Sequence, residues 1–368
     1  MIPVTKPFLP PIEEYENFIR QIWERNWLTN NGPLVNELEL KLKQYLNLPH
    51  LLYVTNGTIA LQMAIKALDL NGEVITTPFS YVATTSSLVW EGCEPVFCDI
   101  DPCSLNINPA EIESHINSRT TAIVATHTFG NACDIVGIER IAKKHNLRVI
   151  YDAAHCFGTS YWGRSIYSFG DISTASFHAT KLYHSIEGGA VVTNDTDYLK
   201  RLVYMRNFGH NGPERFADMG INGKNSEIHA AMGLVNLKYI DSILARRKAL
   251  SQYYDERLSE TTLAKIAINP DCEYNYAYYP VLFTSETALL RTVELLEKNM
   301  IFPRRYFYPS LSQLPYVRKS RVPVCEDACS RILCLPLYYH LSFQQIDTIC
   351  DLVIRAEKLQ KNLSLASL

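Results

Sequence analysis

The chain has 368 residues, 47% of them hydrophobic and 20% charged. That is the composition of a soluble globular enzyme long enough for two domains and a large core. The formal charge of -3 and the lack of a dense basic run argue against nucleic acid or an anionic membrane surface as the main partner.

The N-terminal stretch MIPVTKPFLPPIEEYENF has no basic flank followed by an apolar run, so no signal peptide is expected. LLYVT (Leu51 to Thr55) reads as a strand ending in Asn56-Gly57-Thr58. A helix should follow, because Ala60, Met63, Ala64, Ala67 and Leu68 recur at helical spacing. EVITT (Glu73 to Thr77), closed by Pro78, is a second strand. The segment Val74 to Trp90 is uncharged, but its threonines, serines and proline do not suit a membrane span. Further strands are expected at Glu94 to Ile100, Thr121 to His127, Arg148 to Ala154, Asp171 to Ala179 and Gly189 to Asp195, with a polar-faced helix over Gly137 to Asn146. This order predicts a mainly parallel, seven-stranded sheet covered by helices on both faces, an α/β fold. Ser226 to Leu258 reads as one long helical tract, kinked near Gly233, that links a large domain (1–240) to a smaller C-terminal α/β domain (241–368).

Ten cysteines are scattered without a Cys-x-x-Cys pair. In a chain of this size they predict free thiols and a reducing, cytoplasmic compartment. Cys325, Cys329 and Cys334 have no histidine at matching spacing, so no metal site is expected.

Three groups fall at expected strand ends, where open α/β sheets bind ligands. Asn56-Gly57-Thr58 can present backbone N–H groups to a phosphate, although a plain turn with a threonine cap has the same sequence. Asp152 ends RVIYD and would suit a helix cap equally well. Lys181 stands alone in SFHATKLYHSIEGGAVV, where its ordinary role would be to snorkel to water. Taken together, and with Tyr81 after the second strand, they supply a phosphate cradle, an aromatic platform, a carboxylate for a ring nitrogen and a lysine for a Schiff base. Pyridoxal 5'-phosphate requires that set. The uncharged setting of Lys181 favours the neutral, nucleophilic amine.

The motifs WLTNNGPL, NGTIAL, TPFSYVAT, EPVFCDID, YDAAH, SFHATK…EGGAVV and GINGKNSEIHAAMGL, in this order, resemble the DegT/DnrJ/EryC1/StrS sugar aminotransferases over essentially the whole chain. The resemblance implies the aspartate aminotransferase (type I) fold. It makes Lys181 the catalytic lysine, with Asp152 at the pyridine nitrogen and Tyr81 stacked on the ring. Gly57, Thr58 and Ser176 would bind the phosphate, and Asn222 would reach the phosphate of the neighbouring subunit's cofactor in a homodimer with shared sites. His155 replaces a glutamine common in the family. It would bond the cofactor's phenolic oxygen, with a protonation state that varies near neutral pH. Gly188-Gly189 is expected to turn the backbone beneath the cofactor.

The implied reaction moves an amino group from L-glutamate to a nucleotide-linked keto sugar through pyridoxamine phosphate. The lysine segment favours C4 of dTDP-4-keto-6-deoxyglucose, on the route to a deoxyaminosugar of O-antigen or another surface polysaccharide. Amination at C3 of a dTDP-3-keto-6-deoxyhexose is the alternative, and a non-catalytic cofactor-binding regulator is the alternative of another class. Tyr183, His184, Arg305, Tyr306 and Tyr308 are candidates to line the sugar pocket, although RRYFYP (Arg304 to Pro309) also reads as an aromatic surface loop.

Overall fold

The computed structural model describes residues 1–366. Its centre is a seven-stranded sheet of β1 (Leu51–Val54), β2 (Glu73–Thr76), β3 (Glu94–Phe97), β4 (Thr120–Thr126), β5 (Arg148–Asp152), β6 (Ile172–Ser176) and β7 (Gly189–Val192). The spatial order is β1-β7-β6-β5-β4-β2-β3. β7 runs antiparallel to both neighbours, and every other pairing is parallel. Each strand came close to its expected bounds.

Successive strand residues bury opposite faces. Leu52, Val54, Val74, Ala122, Val124 and Ile150 pack on one side, and Tyr53, Ile75, Ile123, Ala125 and Tyr151 on the other. Burial on both faces explains why these strands read as continuous apolar runs. Helix Gly57–Ala67 starts directly after β1, where the Asn56 side chain accepts the Ile59 N–H at 2.8 Å.

The expected long helix is two. Glu227–Leu237 and Ile240–Arg257 are separated at Lys238 and Tyr239, not kinked at Gly233. Gly233 serves close packing instead: a Cβ there would lie 2.9 Å from a Leu38 methyl and 3.0 Å from the Tyr183 hydroxyl.

Beyond Ile240 lies a three-stranded antiparallel sheet of Ala264–Lys265, Tyr279–Leu282 and Ile332–Leu335. Helices Glu286–Lys298 and Phe343–Ala366 accompany it, over a core that includes Tyr254, Val281, Leu289, Leu335 and Ile349. Ile2–Pro3 pairs in parallel with Ile301–Phe302, which ties the first residues to this later part of the chain. All ten cysteines are free thiols. Among the described residues no cluster of metal-ligating side chains occurs, and no helix is long and apolar enough to cross a membrane.

Candidate active site

Parallel pairing brings the carboxyl ends of β2, β4, β5 and β6 to one edge of the sheet, and the two antiparallel pairings of β7 bring that of β1 to the same edge. A cavity of about 450 Å³ opens there. Asp152 ends β5, Ser176 ends β6, Gly57 and Thr58 follow β1, and Tyr81 follows β2. All of these line the cavity together with His155 and Lys181.

Lys181 lies in the loop from β6 to β7. The loop is tied at its base by Phe177 N–H to Gly188 O (2.7 Å) and Ser185 N–H to Phe177 O (2.9 Å). Among the described residues Lys181 Nζ makes no hydrogen bond or ion pair. Burial pushes the ammonium down to about 8, against the opposing charge of Asp152. The amine is thus a nucleophile under mild conditions.

Asp152 is 5% exposed. Its Oδ2 accepts from the Thr84 hydroxyl at 2.6 Å and its Oδ1 from the Ala154 N–H at 3.1 Å. Burial raises the carboxyl above the usual range, while Thr84, Ala154 and the Lys181 charge pull it back. A cationic ring nitrogen facing it would add to that pull.

His155 does not behave as the sequence suggests. Its Nδ1 accepts the Phe129 N–H at 3.2 Å, which leaves the proton on Nε2. The ring stacks on Phe307 at 5.8 Å and meets Tyr278 edge-on at 4.9 Å. Burial, and then the charge of Lys181, hold it well below the ordinary histidine range, so it is neutral near pH 7.

Backbones approach closely where the phosphate cradle is expected. A Cβ on Gly57 would stand 2.9 Å from the Ser176 Cβ, and one on Gly189 would stand 2.5 Å from the carbonyl carbon of Asn56. Gly189 therefore lets β7 pass the β1 turn at backbone distance; it does not turn the chain. Among the described residues neither the Gly57 nor the Thr58 N–H has a protein acceptor, as expected at the first turn of a helix.

Several sugar-pocket candidates stand elsewhere. Tyr183 is buried in the core, stacked on Phe157 at 4.1 Å and donating to Gly233 O. His184 is buried against Phe8 O at 2.7 Å. Arg305 points away from the cavity, to Glu286 and to the carbonyls of Cys329 and Ser330. Tyr308 lies under the Arg305 guanidinium, 3.5 Å from it, and is also outside. Of that group only Tyr306 lines the cavity, joined there by Arg304, Phe307 and Tyr278. The reason is local: Arg304 bridges Cys334 in extended conformation, so residues 304 and 305 face opposite sides. Asn222 is exposed, bridged to Asn207, and outside its own chain's cavity. His178 and Glu187, which were not anticipated, reach the cavity as a pair 3.5 Å apart.

The sequence profile of the DegT/DnrJ/EryC1/StrS aminotransferase family matches residues 12–354. The chain belongs to that family. It is 41% identical to a Shigella dysenteriae protein named dTDP-4-amino-4,6-dideoxy-D-glucose transaminase, over 95% of this chain and 97% of the other. An Escherichia coli protein of the same name is 38% identical, over 96% and 98% of the two chains. The solved structure of DesI in the presence of its TDP-sugar product superposes with a TM-score of 0.93 at 31% identity, covering 100% of this chain and 96% of that one. NtdA from Bacillus subtilis, with bound cofactor PMP, gives 0.88 at 25% identity over 94% and 82%. The enzymes of this family are pyridoxal phosphate-dependent aminotransferases. The residues here fit the group: two free N–H donors in a cradle that a Cβ would fill, a buried carboxylate and an unpaired amine of lowered basicity share one cavity.

Proposed function

We propose that this enzyme transfers the amino group of L-glutamate to C4 of dTDP-4-keto-6-deoxy-D-glucose. The observation that carries the reading is the cavity in which Lys181 and Asp152 meet, in a chain whose 41% and 38% identical relatives bear the C4 name. When bound, pyridoxal phosphate supplies an electron sink and carries the amino group between the two substrates.

In this reading the Lys181 amine would hold the cofactor through its aldehyde and, once the incoming amino donor has freed it, would be the base in the cavity that moves a proton at the substrate carbon. Asp152 would keep the cofactor's ring nitrogen protonated. The N–H groups of Gly57 and Thr58 and the Ser176 hydroxyl would hold the phosphate, Tyr81 would lie against the ring, and His155 would offer its Nε2 proton to the cofactor. Arg304 and Tyr306, which line the cavity, would face the nucleotide sugar, whereas Arg305, Tyr308, Tyr183 and His184 lie outside it.

The enzyme acts as a homodimer, with Asn222 serving the neighbouring subunit's phosphate. The exposed Phe208, Phe216, Met219 and Ile221 around Asn222 support burial of this segment between subunits. It works in the cytoplasm, and its product feeds a surface polysaccharide such as O-antigen.

A relative named dTDP-3-amino-3,6-dideoxy-alpha-D-galactopyranose transaminase is 30% identical, so C3 amination is less well supported than C4. A non-catalytic regulator has no support among these relatives. The test is incubation with L-glutamate and a panel of nucleotide-linked keto sugars, followed by NMR of the product. Amine at C4 of the dTDP sugar is expected; amine at C3, or no amino sugar from any member of the panel, would overturn the assignment.

A further inference from the structure

A row of buried hydroxyls runs from Asp152 through Thr84 to Ser80 and Thr126, the last two also on the cavity wall. Thr84 Oγ1 is 2.6 Å from Asp152 Oδ2, Ser80 Oγ is 2.8 Å from Thr84 Oγ1, and Thr126 Oγ1 is 2.9 Å from Ser80 Oγ. All four side chains are buried. Three elements supply them: Ser80 and Thr84 flank the start of helix Val82–Trp90, Thr126 ends β4, and Asp152 ends β5 directly opposite Thr126 in the ladder.

The order of donation follows from chemistry. An ionised carboxylate only accepts, so Thr84 must donate to it. Thr84 has one proton, so its bond to Ser80 must run from Ser80 to Thr84. By the same count Thr126 donates to Ser80. Every proton in the row therefore points towards Asp152, an arrangement fixed only while Asp152 carries its charge.

We infer that Thr126, Ser80 and Thr84 form a positioning relay that holds Asp152 ionised and aimed into the cofactor cavity, with Thr84 as the residue that acts on it directly. The relay rests on the reading of Asp152 as partner of the cofactor's ring nitrogen. A buried carboxylate that loses a hydroxyl donor is poorly compensated, because hydrogen bonds to charged groups are among the stronger ones. Polar rows of this kind also strengthen one another in a low-dielectric interior.

The test is a double-mutant cycle read by the affinity of the cofactor-free protein for pyridoxamine phosphate, by calorimetry. Thr84→Val should weaken binding by about 10- to 100-fold. Thr84→Ser should restore it, since the hydroxyl returns. The loss of affinity on acidification should begin at higher pH in Thr84→Val than in wild type, because its Asp152 protonates more readily. In an Asp152→Asn background Thr84→Val should cost less than threefold. An equal cost in both backgrounds would show that Thr84 does not act through Asp152 and would overturn the relay. If Asp152→Asn binds as tightly as wild type, the role of Asp152 fails first. If Asp152→Asn is weak while Thr84→Val binds normally, only the relay fails. Thr84→Ala carries the same comparison should the valine variant not fold.

Discussion

Gly57 and Ser176 meet across the mouth of the sheet so closely that a Cβ on the glycine would stand 2.9 Å from the serine Cβ. The neighbour is the root of a side chain, which cannot swing aside. Gly57→Ala should therefore push the helix start away from β6, at an overpacking cost of about 1–3 kcal/mol. The expected result is at least a tenfold loss of pyridoxamine phosphate affinity in calorimetry. Unchanged affinity would remove the Gly57 backbone from the phosphate site.

Lys181 should titrate in the folded, cofactor-free protein at about pH 8. The rate of condensation with the cofactor aldehyde, followed by stopped-flow absorbance, should rise with pH and level off above that value. Linkage gives a second readout. The folded chain releases this proton before the unfolded chain does, so stability should rise with pH from about 8 towards the ordinary lysine value. Below pH 8 the burial penalty is fully present. Lys181→Met should remove this rise in urea unfolding measured across the range. An identical pH dependence in both proteins would contradict a lowered amine.

His155 should stay neutral throughout pH 6 to 8, with its proton on Nε2. Heteronuclear NMR of the imidazole nitrogens checks this directly. A midpoint inside that range would mean that burial by Phe307, Tyr278 and Phe129 does not control the ring. His155→Gln, which keeps a donor, should retain more cofactor affinity than His155→Ala.

Asn222 should act across a subunit interface. Mixed dimers of Lys181→Ala with a variant bearing a bulky residue at 222 should regain activity from two inactive parents. Two-fold symmetry allows up to about half of the sites in each heterodimer to be whole. The bulky variant must first be shown to be inactive and dimeric by light scattering. If subunit exchange restores nothing, the shared-site arrangement is wrong.

The strand and helix order was legible because each element carries its own period and its own end signals. β5 reads as an apolar run ending in Asp152, and β1 as one ending in Asn56-Gly57, whatever lies beside them. Lys181 stood out by contrast with its neighbours. Gly233, in contrast, looked like a kink, because a glycine that admits Leu38 and one that bends a helix have the same letter.

The sequence by itself determined the α/β order, the family and the set of groups that a pyridoxal phosphate site requires. Those signals are local, or lie in short motifs whose order survives in one dimension. The tertiary structure alone decided which way adjacent side chains face. It turned Arg304 towards the cavity and Arg305 away, and it sank Tyr183 and His184 into the core. It also made His155 neutral, and it set Thr84 and Thr126 beside an aspartate 68 and 26 residues further along the chain. Burial, side-chain direction and hydrogen bonding between distant segments exist only once the sheet has brought its strand ends together, and no spacing along the chain encodes them.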